Sequence, residues 1–589
     1  MTDRPDIVIL MTDEERAIPP YESPDVLDWR RRTLSAQRWF DDHGVSFARH
    51  YTGSLACVPS RPTIFTGQYP DLHGVTQTDG LGKMYDDSRM RWLRPGEVPT
   101  LGNWFRAAGY DTHYDGKWHI SHADLTDPAT GNILATNDAD GAVDESAVRR
   151  YLDADPLAPY GFSGWIGPEP HGAGMANCGL RRDPLIADRV VAWLEDRYAR
   201  RRAGDPDALR PFLLVASFVN PHDIVLFPTW ALRSPLKSSA LDPPRVPPAP
   251  TADEDLRTKP AAQIAFREAY YSGYGPAPAI QTVYDRFDQR YRDLYYRLHA
   301  EVDTPLDLVR RAVGDGSGNT LLVRTSDHGD LLGAHGGLHQ KWFNLYDEAT
   351  RVPFIVARVG DRPTEPRVIE APTSHVDLVP TLLGAAGVDV TAVAETLRES
   401  FSEVHPLPGR NLMPVVDGAA AADDDRVVYL MTRDNMLEGD SGASGLGRQL
   451  KQVANPPAPL RIRIAAHTAA NFEGLVTRVG QTIAGGRGHL WKLVRSFDDP
   501  STWTEPGVRH LAANGPGGEM YRSSPLDDQW ELYDLTVDPI EADNRWDEPT
   551  LLDLRQHLRM RLKESRAQSV PERNNPWPYT TRRGAHQSS

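Results

Sequence analysis

The chain has 589 residues, a formal charge of −16, 25% charged residues and two cysteines. Such a length can bury a large core and allows more than one domain. The negative balance excludes a general nucleic-acid surface, which needs cations to neutralise phosphates, and two cysteines exclude a disulfide framework.

The N-terminus, Met1-Thr2-Asp3-Arg4-Pro5-Asp6, leads straight into the apolar run Ile7–Met11, without the apolar core and cleavage site of a signal peptide. No apolar run approaches the roughly 20 residues that span a bilayer. A cytoplasmic protein with no membrane partner is expected. Ile7–Met11 has the pattern of a strand buried on both faces, and it delivers Asp13 and Glu14 to the end where open α/β sheets bind ligands. Helical spacing follows over Val26–His43. Cys57-Val58-Pro59-Ser60-Arg61 then opens a short helix that Gly67 stops, with its free N–H groups directed at an anion on residue 57. Leu101–Ala108 is a helix. Beyond it, Lys117 and His119 stand two apart on an extended segment, so both point the same way.

Residues 126–179, rich in Gly, Pro and Asp, form an excursion from the sheet. Ile186–Arg202 is a helix, and Phe212–Val219 a buried strand that delivers Asn220-Pro221-His222-Asp223. From Ile224 to about Gly275 the proline-rich composition predicts a long surface loop. Tyr284, Phe287, Tyr291, Tyr295 and Leu298 recur at helical spacing, a core stripe. Thr320–Ser326 is a further strand, ending in Asp327-His328-Gly329-Asp330; Pro353–Val359 is another, and a helix opens at His375. Ala419–Asp425 reads as an exposed linker, with β-like pieces beyond it at Val427–Thr432, Trp491–Phe497 and Trp530–Leu535. The tail from Gln568 reads as loosely ordered. Cys178 reads as a small packed residue, the usual fate of a free cysteine.

The stretch Cys57-Val58-Pro59-Ser60-Arg61-Pro62-Thr63-Ile64-Phe65-Thr66-Gly67 resembles the sulfatase signature C-x-P-S-R-x-x-x-x-T-G. Gly116-Lys117-Trp118-His119, Pro221-His222, Asp327-His328 and Lys341 resemble further motifs of that family, in its order. The resemblance implies an α/β fold of the alkaline-phosphatase-like kind: a large mixed sheet flanked by helices over residues 1–420, and a smaller C-terminal α+β subdomain on an antiparallel sheet over 421–589.

It further implies an arylsulfatase-like enzyme whose Cys57 a maturation enzyme converts to Cα-formylglycine; the hydrated aldehyde attacks sulfur. Arg61, Lys117, His119, His222 and Lys341 would supply charge and proton transfer. Lys341 or His222 would serve the leaving oxygen, and His119 would accept a proton from the second hydroxyl. Asp13, Glu14, Cys57, Asp327 and His328 would hold one divalent cation, with Ca²⁺ first and Mn²⁺ or Mg²⁺ as alternatives. Glu14 enters either as a longer-armed ligand or pointing elsewhere. The Asp327-His328 pair resembles choline sulfatases and phosphonate monoester hydrolases. The expected substrate is a small aryl or alkyl sulfate ester; a phosphonate monoester or phosphodiester is the alternative, and a binding protein with an unmodified Cys57 is the third reading. The sequence leaves a homo-oligomer open.

Overall fold

The structure, a computed structural model, describes residues 4–79, 85, 87, 90–170, 174–274, 276–314, 318–360, 363–434, 468–515 and 518–576. Its strands in chain order are β1 (Asp6–Asp13), β2 (Val45–Phe47), β3 (His50–Tyr51), β4 (Asp111–Gly116), β5 (Phe212–Pro221), β6 (Asn319–Ser326), β7 (Phe354–Gly360), β8 (Arg367–Ile369), β9 (Thr373–Ser374), β10 (Val428–Arg433), β11 (Asn471–Val479), β12 (His489–Phe497), β13 (His510–Gly515), β14 (Gly518–Arg522) and β15 (Gln529–Asp534). Seven of them make a mixed sheet in the order β4-β5-β1-β6-β7-β2-β8. The four strands β4, β5, β1 and β6 run parallel, and β7 pairs antiparallel with both β6 and β2.

All eight residues of β1 are buried, because its alternate side chains enter two different cores. Ile7, Ile9 and Met11 pack with Val58, Ile64 and Phe65 of the Cys57–Thr66 helix. Val8 and Leu10 face the opposite way, onto Ile186, Val190 and Leu194 of the Gly179–Arg202 helix and onto Val302, Leu306 and Val309. A strand sandwiched in this way needs apolar residues at every position, which explains the unbroken run. The same sandwich fixes the parallel strand ends on one edge and seats the Cys57 helix against that edge.

A second, antiparallel sheet has the order β10-β11-β12-β15. One face carries Met431, Leu475, Trp491 and Leu493 against Leu554, Leu558 and Leu562 of the Leu552–Ser569 helix. Its other face, with Val428, Phe472 and Tyr533, packs on Tyr295, Leu331 and Tyr346 of the first part of the chain. This is the α/β class expected from the sequence. Among the described residues no single helix is long and apolar enough to cross a membrane.

Three elements differ from expectation. Within the stretch read as a surface loop, Ala261–Tyr270 is helical, and it buries Phe266 and Tyr270 among the tyrosines of the long Ala277–Gly314 helix. Ala-Ala-Gln-Ile-Ala-Phe-Arg-Glu-Ala is good helix-forming sequence, which the surrounding prolines disguise. The Val26–His43 helix is two helices, Pro24–Thr33 and Ser35–His43. Beyond Ser569 the chain is anchored: the backbone N–H groups of Asn574 and Asn575 donate to the buried Glu403 carboxylate at 2.9 and 2.8 Å. The rest of the expected loose tail lies outside the described residues.

Candidate active site

The candidate residues are collected by four strand ends, one helix and the loop that carries Lys341. Asp13 closes β1, and Asp327-His328 follow the last residue of β6. Cys57 opens its helix, after Ala56 at φ 61°, and Gly67 closes it in the left-handed region at φ 65°. Lys117 follows β4, and His222 follows β5. The Cys57 Sγ lies 3.1 Å from His328 Nε2 and 3.5 Å from Asp13 Oδ1. Ligand atoms of Asp13, Cys57, Asp327 and His328 all lie within 4.8 Å of one another, and all four residues are buried.

Arg61, one helical turn after Cys57, is fully buried. Its Nε donates to Asp327 Oδ2 at 2.8 Å and its Nη2 to Asp13 Oδ2 at 2.9 Å. Its Nη1 donates to the Lys117 carbonyl and to Ser217 Oγ. Among the described residues the guanidinium thus clamps two carboxylates and makes no hydrogen bond to Cys57. Lys117 Nζ lies 2.6 Å from Asp13 Oδ2 and 3.9 Å from Cys57 Sγ. Lys341 Nζ pairs with Glu14 Oε2 at 3.0 Å.

Glu14, at φ 69°, is not drawn into the four-residue cluster. It groups instead with Asp13 and His222, whose ligand atoms lie within 4.8 Å of one another. His119 departs from the extended segment expected of it. Strand β4 stops at Gly116, His119 adopts φ 52°, and its Nε2 lies 2.8 Å from Asp79 Oδ1.

Proton affinities reflect this crowding. Burial works to raise the Asp13 carboxyl, but Lys117, His222 and Arg61 outweigh it and hold Asp13 well below the usual range. Burial, with the neighbouring Asp13 charge, pushes Asp327 up to about 7. Burial pushes His328 down to about 3, which leaves its imidazole neutral. The Cys57 thiol rises through burial and through Asp13. Two carboxylates forced together beside a neutral imidazole form a donor set that a divalent cation would satisfy. Oxygen ligands suit Ca²⁺, Mg²⁺ or Mn²⁺, and the imidazole favours Mn²⁺ among them. The residues present therefore fit a metal.

Four further residues were not singled out as site residues in the sequence. Ser217 receives Arg61, Asp79 meets His119, and Glu169 accepts the backbone N–H groups of Trp118 and His119, each at 3.0 Å. Asp330 adjoins Glu14 and raises its carboxyl further, after burial and against Lys341. Asp330 sits in the same short run as Asp327 and was within reach of local inspection; Ser217 lies inside the buried strand β5, where nothing marks it as a partner of Arg61, and Asp79 and Glu169 arrive from distant segments that carry no pattern.

This architecture is shared by solved structures. A 2-O GAG sulfatase aligns with a TM-score of 0.58 at 17% identity, covering 96% of this chain and 93% of that one. The phosphonate monoester hydrolase of Agrobacterium radiobacter aligns with a TM-score of 0.54 at 20% identity, covering 96% of each chain. They establish the fold as alkaline-phosphatase-like. In sequence, the choline-sulfatase of Rhizobium meliloti (strain 1021) is 27% identical over 441 residues, 73% of this chain and 74% of that protein. The uncharacterized sulfatase YidJ of Escherichia coli (strain K12) is 26% identical over 417 residues, 70% of this chain and 71% of that protein. Residues 5–388 match the Sulfatase family, to which the chain therefore belongs. It is an enzyme of the sulfatase class, and its family chemistry is the hydrolysis of sulfate esters.

Proposed function

We propose that this sulfatase cleaves a small aryl or alkyl sulfate monoester, with residue 57 as Cα-formylglycine made by a maturation enzyme and with one divalent cation. The observation that carries the reading is the convergence of Asp13, Cys57, Asp327 and His328 within 4.8 Å, with the ammonium of Lys117 3.9 Å from residue 57. Asp13, Asp327, His328 and residue 57 would hold the cation, which when bound polarises a sulfuryl oxygen and favours a deprotonated nucleophile. Formylglycine supplies a hydrated aldehyde with two hydroxyls, one to attack sulfur and one whose deprotonation expels sulfate, whereas the thiol's own proton is held tightly in this pocket.

The chain's own side chains supply the rest. Arg61 locks Asp13 and Asp327 in place with a rigid fork. Lys117 brings positive charge to an anionic ester. Lys341, whose ammonium pairs with Glu14 at 3.0 Å, carries a proton for the leaving oxygen, with His222 beside Asp13 and Glu14 as its neighbour in that task. His119 accepts a proton from the second hydroxyl of the hydrated aldehyde, the reacting hydroxyl of the step that expels sulfate.

The test is turnover of p-nitrophenyl sulfate against a phenyl phosphonate monoester, using protein whose residue 57 has been shown by peptide mass to be the aldehyde. Higher kcat/KM on the sulfate supports the reading. A preference for the phosphonate by orders of magnitude replaces it with the phosphonate hydrolase alternative, and a thiol in protein from the native host removes the nucleophile.

A further inference from the structure

His119 and Asp79 form a buried pair that the site description leaves without a task. Their side chains are only 2% and 3% exposed, and Nε2 to Oδ1 is 2.8 Å. The backbone of His119 is held separately. Its N–H donates to Glu169 Oε2, which stabilises a left-handed conformation (φ 52°) that a β-carbon-bearing residue otherwise avoids. Trp92 lies against the ring with centroids 5.9 Å apart. Backbone, ring face and Nε2 are thus each fixed by a different partner, drawn from three separate segments of chain.

We propose that Asp79 is a positioning residue for the reaction: it holds the His119 imidazole in the tautomer that carries its proton on Nε2, leaving the lone pair on Nδ1 to accept the proton of the reacting hydroxyl. This rests on the reading above, in which His119 is the acceptor. A buried imidazole two residues from Lys117 can become an imidazolium only beside a countercharge. When the hydroxyl proton moves to Nδ1, the O–H electron pair stays on oxygen; the new positive charge on the ring is paired with Asp79, which itself takes no proton. Glu169 adds a second acidic group on the backbone side, where burial pushes its carboxyl up to about 7.

Other buried histidines of the molecule show what such a partner does. His73, His339 and His375 have no carboxylate hydrogen-bonded to the ring among their described contacts, and burial drives each down to about 3. His335 lies between Glu254 and Glu348 at 3.0 and 3.3 Å; burial is outweighed there and it rises to about 9. Among its described contacts His119 has the Asp79 carboxylate on Nε2, a partner of the kind that His335 has and that His73, His339 and His375 lack among theirs.

The experiment compares wild type, Asp79→Asn, His119→Ala and the double variant, each metal-loaded and with the state of residue 57 verified. Asp79→Asn is expected to lower kcat by about 100-fold with KM changed by less than about threefold, and to move the acidic limb of the pH–kcat profile. Added to His119→Ala it should cost nothing more. Selectively ¹⁵N-labelled histidine, assigned through the His119→Ala spectrum, should show the Nε2–H tautomer in the wild type. That measurement stands whatever ester is turned over and even if Asp79→Asn fails to fold. An Nδ1–H tautomer, a kcat within about threefold of wild type, or an undiminished loss in the His119→Ala background each overturn the proposal. If the tautomer is as expected but neither single variant loses activity, the base role assigned to His119 is what fails, and the positioning role falls with it.

Discussion

Two of the buried charge networks among the described residues differ in how their charges are balanced. Around Cys57 the groups are mismatched: Arg61 and Lys117 hold Asp13 low, yet Asp327 beside them rises to about 7 and His328 falls to about 3, both through burial first. Where the second sheet meets the first part of the chain, most charges have a direct partner of opposite sign, although burial still pushes Glu541 up to about 7. His335 rises to about 9 and its partner Glu348 falls to about 2. Lys492 pairs with Asp347 at 2.6 Å and Glu541 at 2.7 Å, and Lys259 pairs with Glu254 at 2.9 Å. Burying an ion costs several kcal/mol unless it is paired. The junction meets that cost within the chain and gains a rigid seam. The site leaves its donors in conflict, the state in which a guest cation and an anionic ester bind with most effect.

Substitutions break this contrast by graded amounts. Cys57→Ala should reduce turnover by at least about 10³-fold while leaving circular dichroism and the melting temperature near wild type; activity near wild type would remove residue 57 from the mechanism. Arg61→Ala leaves Asp13 and Asp327 buried without their clamp, so apo-protein stability should fall by about 3–5 kcal/mol in urea titration.

At the junction, His335 has a folded value of about 9 against an ordinary value of 6.5. Its contribution, on the order of 3 kcal/mol, is complete below pH ~6.5 and is lost as pH rises through ~9. Glu348, lowered to about 2, adds stability above its ordinary range that is lost only as pH falls through that value. Urea midpoints measured from pH 6 to 10 should decline more steeply in the wild type than in His335→Gln; parallel profiles would detach His335 from the seam. In the site, Mn²⁺ or Ca²⁺ at about 100 times its dissociation constant should stabilise the chelator-treated protein by about 2.7 kcal/mol. No change in melting temperature would contradict the donor set. The smallest effect is expected from Glu403→Ala, which frees the Asn574 and Asn575 N–H groups at about 1–2 kcal/mol and should speed proteolysis near the C-terminus.

Strands β1, β5, β6 and β7 of the central sheet were legible in the sequence because sandwiched strands have no polar face to vary, whereas the three-residue strands β2 and β8 were too short to leave a pattern. The four donors of the metal cluster could be read as candidates through the family resemblance, whose motifs fall at strand ends and at the start of the signature helix. Other features depend on tertiary approach. Lys117 and His119 look like neighbours on one face of an extended segment, but β4 stops at Gly116, so one reaches Asp13 and the other Asp79. Asp79 and Glu169 sit in segments without periodicity, and their value comes only from what they meet. The Ala261–Tyr270 helix was obscured because prolines on its N-terminal side dominate the composition, while its packing partners lie on the Ala277–Gly314 helix.

The residue that opens the signature helix is itself only 1% exposed in the finished fold, enclosed by Arg61, Asp13 and His328. If residue 57 is matured as proposed, an enzyme large enough to carry its own active site could not reach a side chain so enclosed. On the proposed reading, oxidation of Cys57 would therefore have a deadline, set by the moment the Cys57–Thr66 helix docks against β1 and β6. Chains that fold before they meet the oxidising partner would be stable, metal-competent and permanently inactive, so the active fraction of a preparation measures a race between folding and modification.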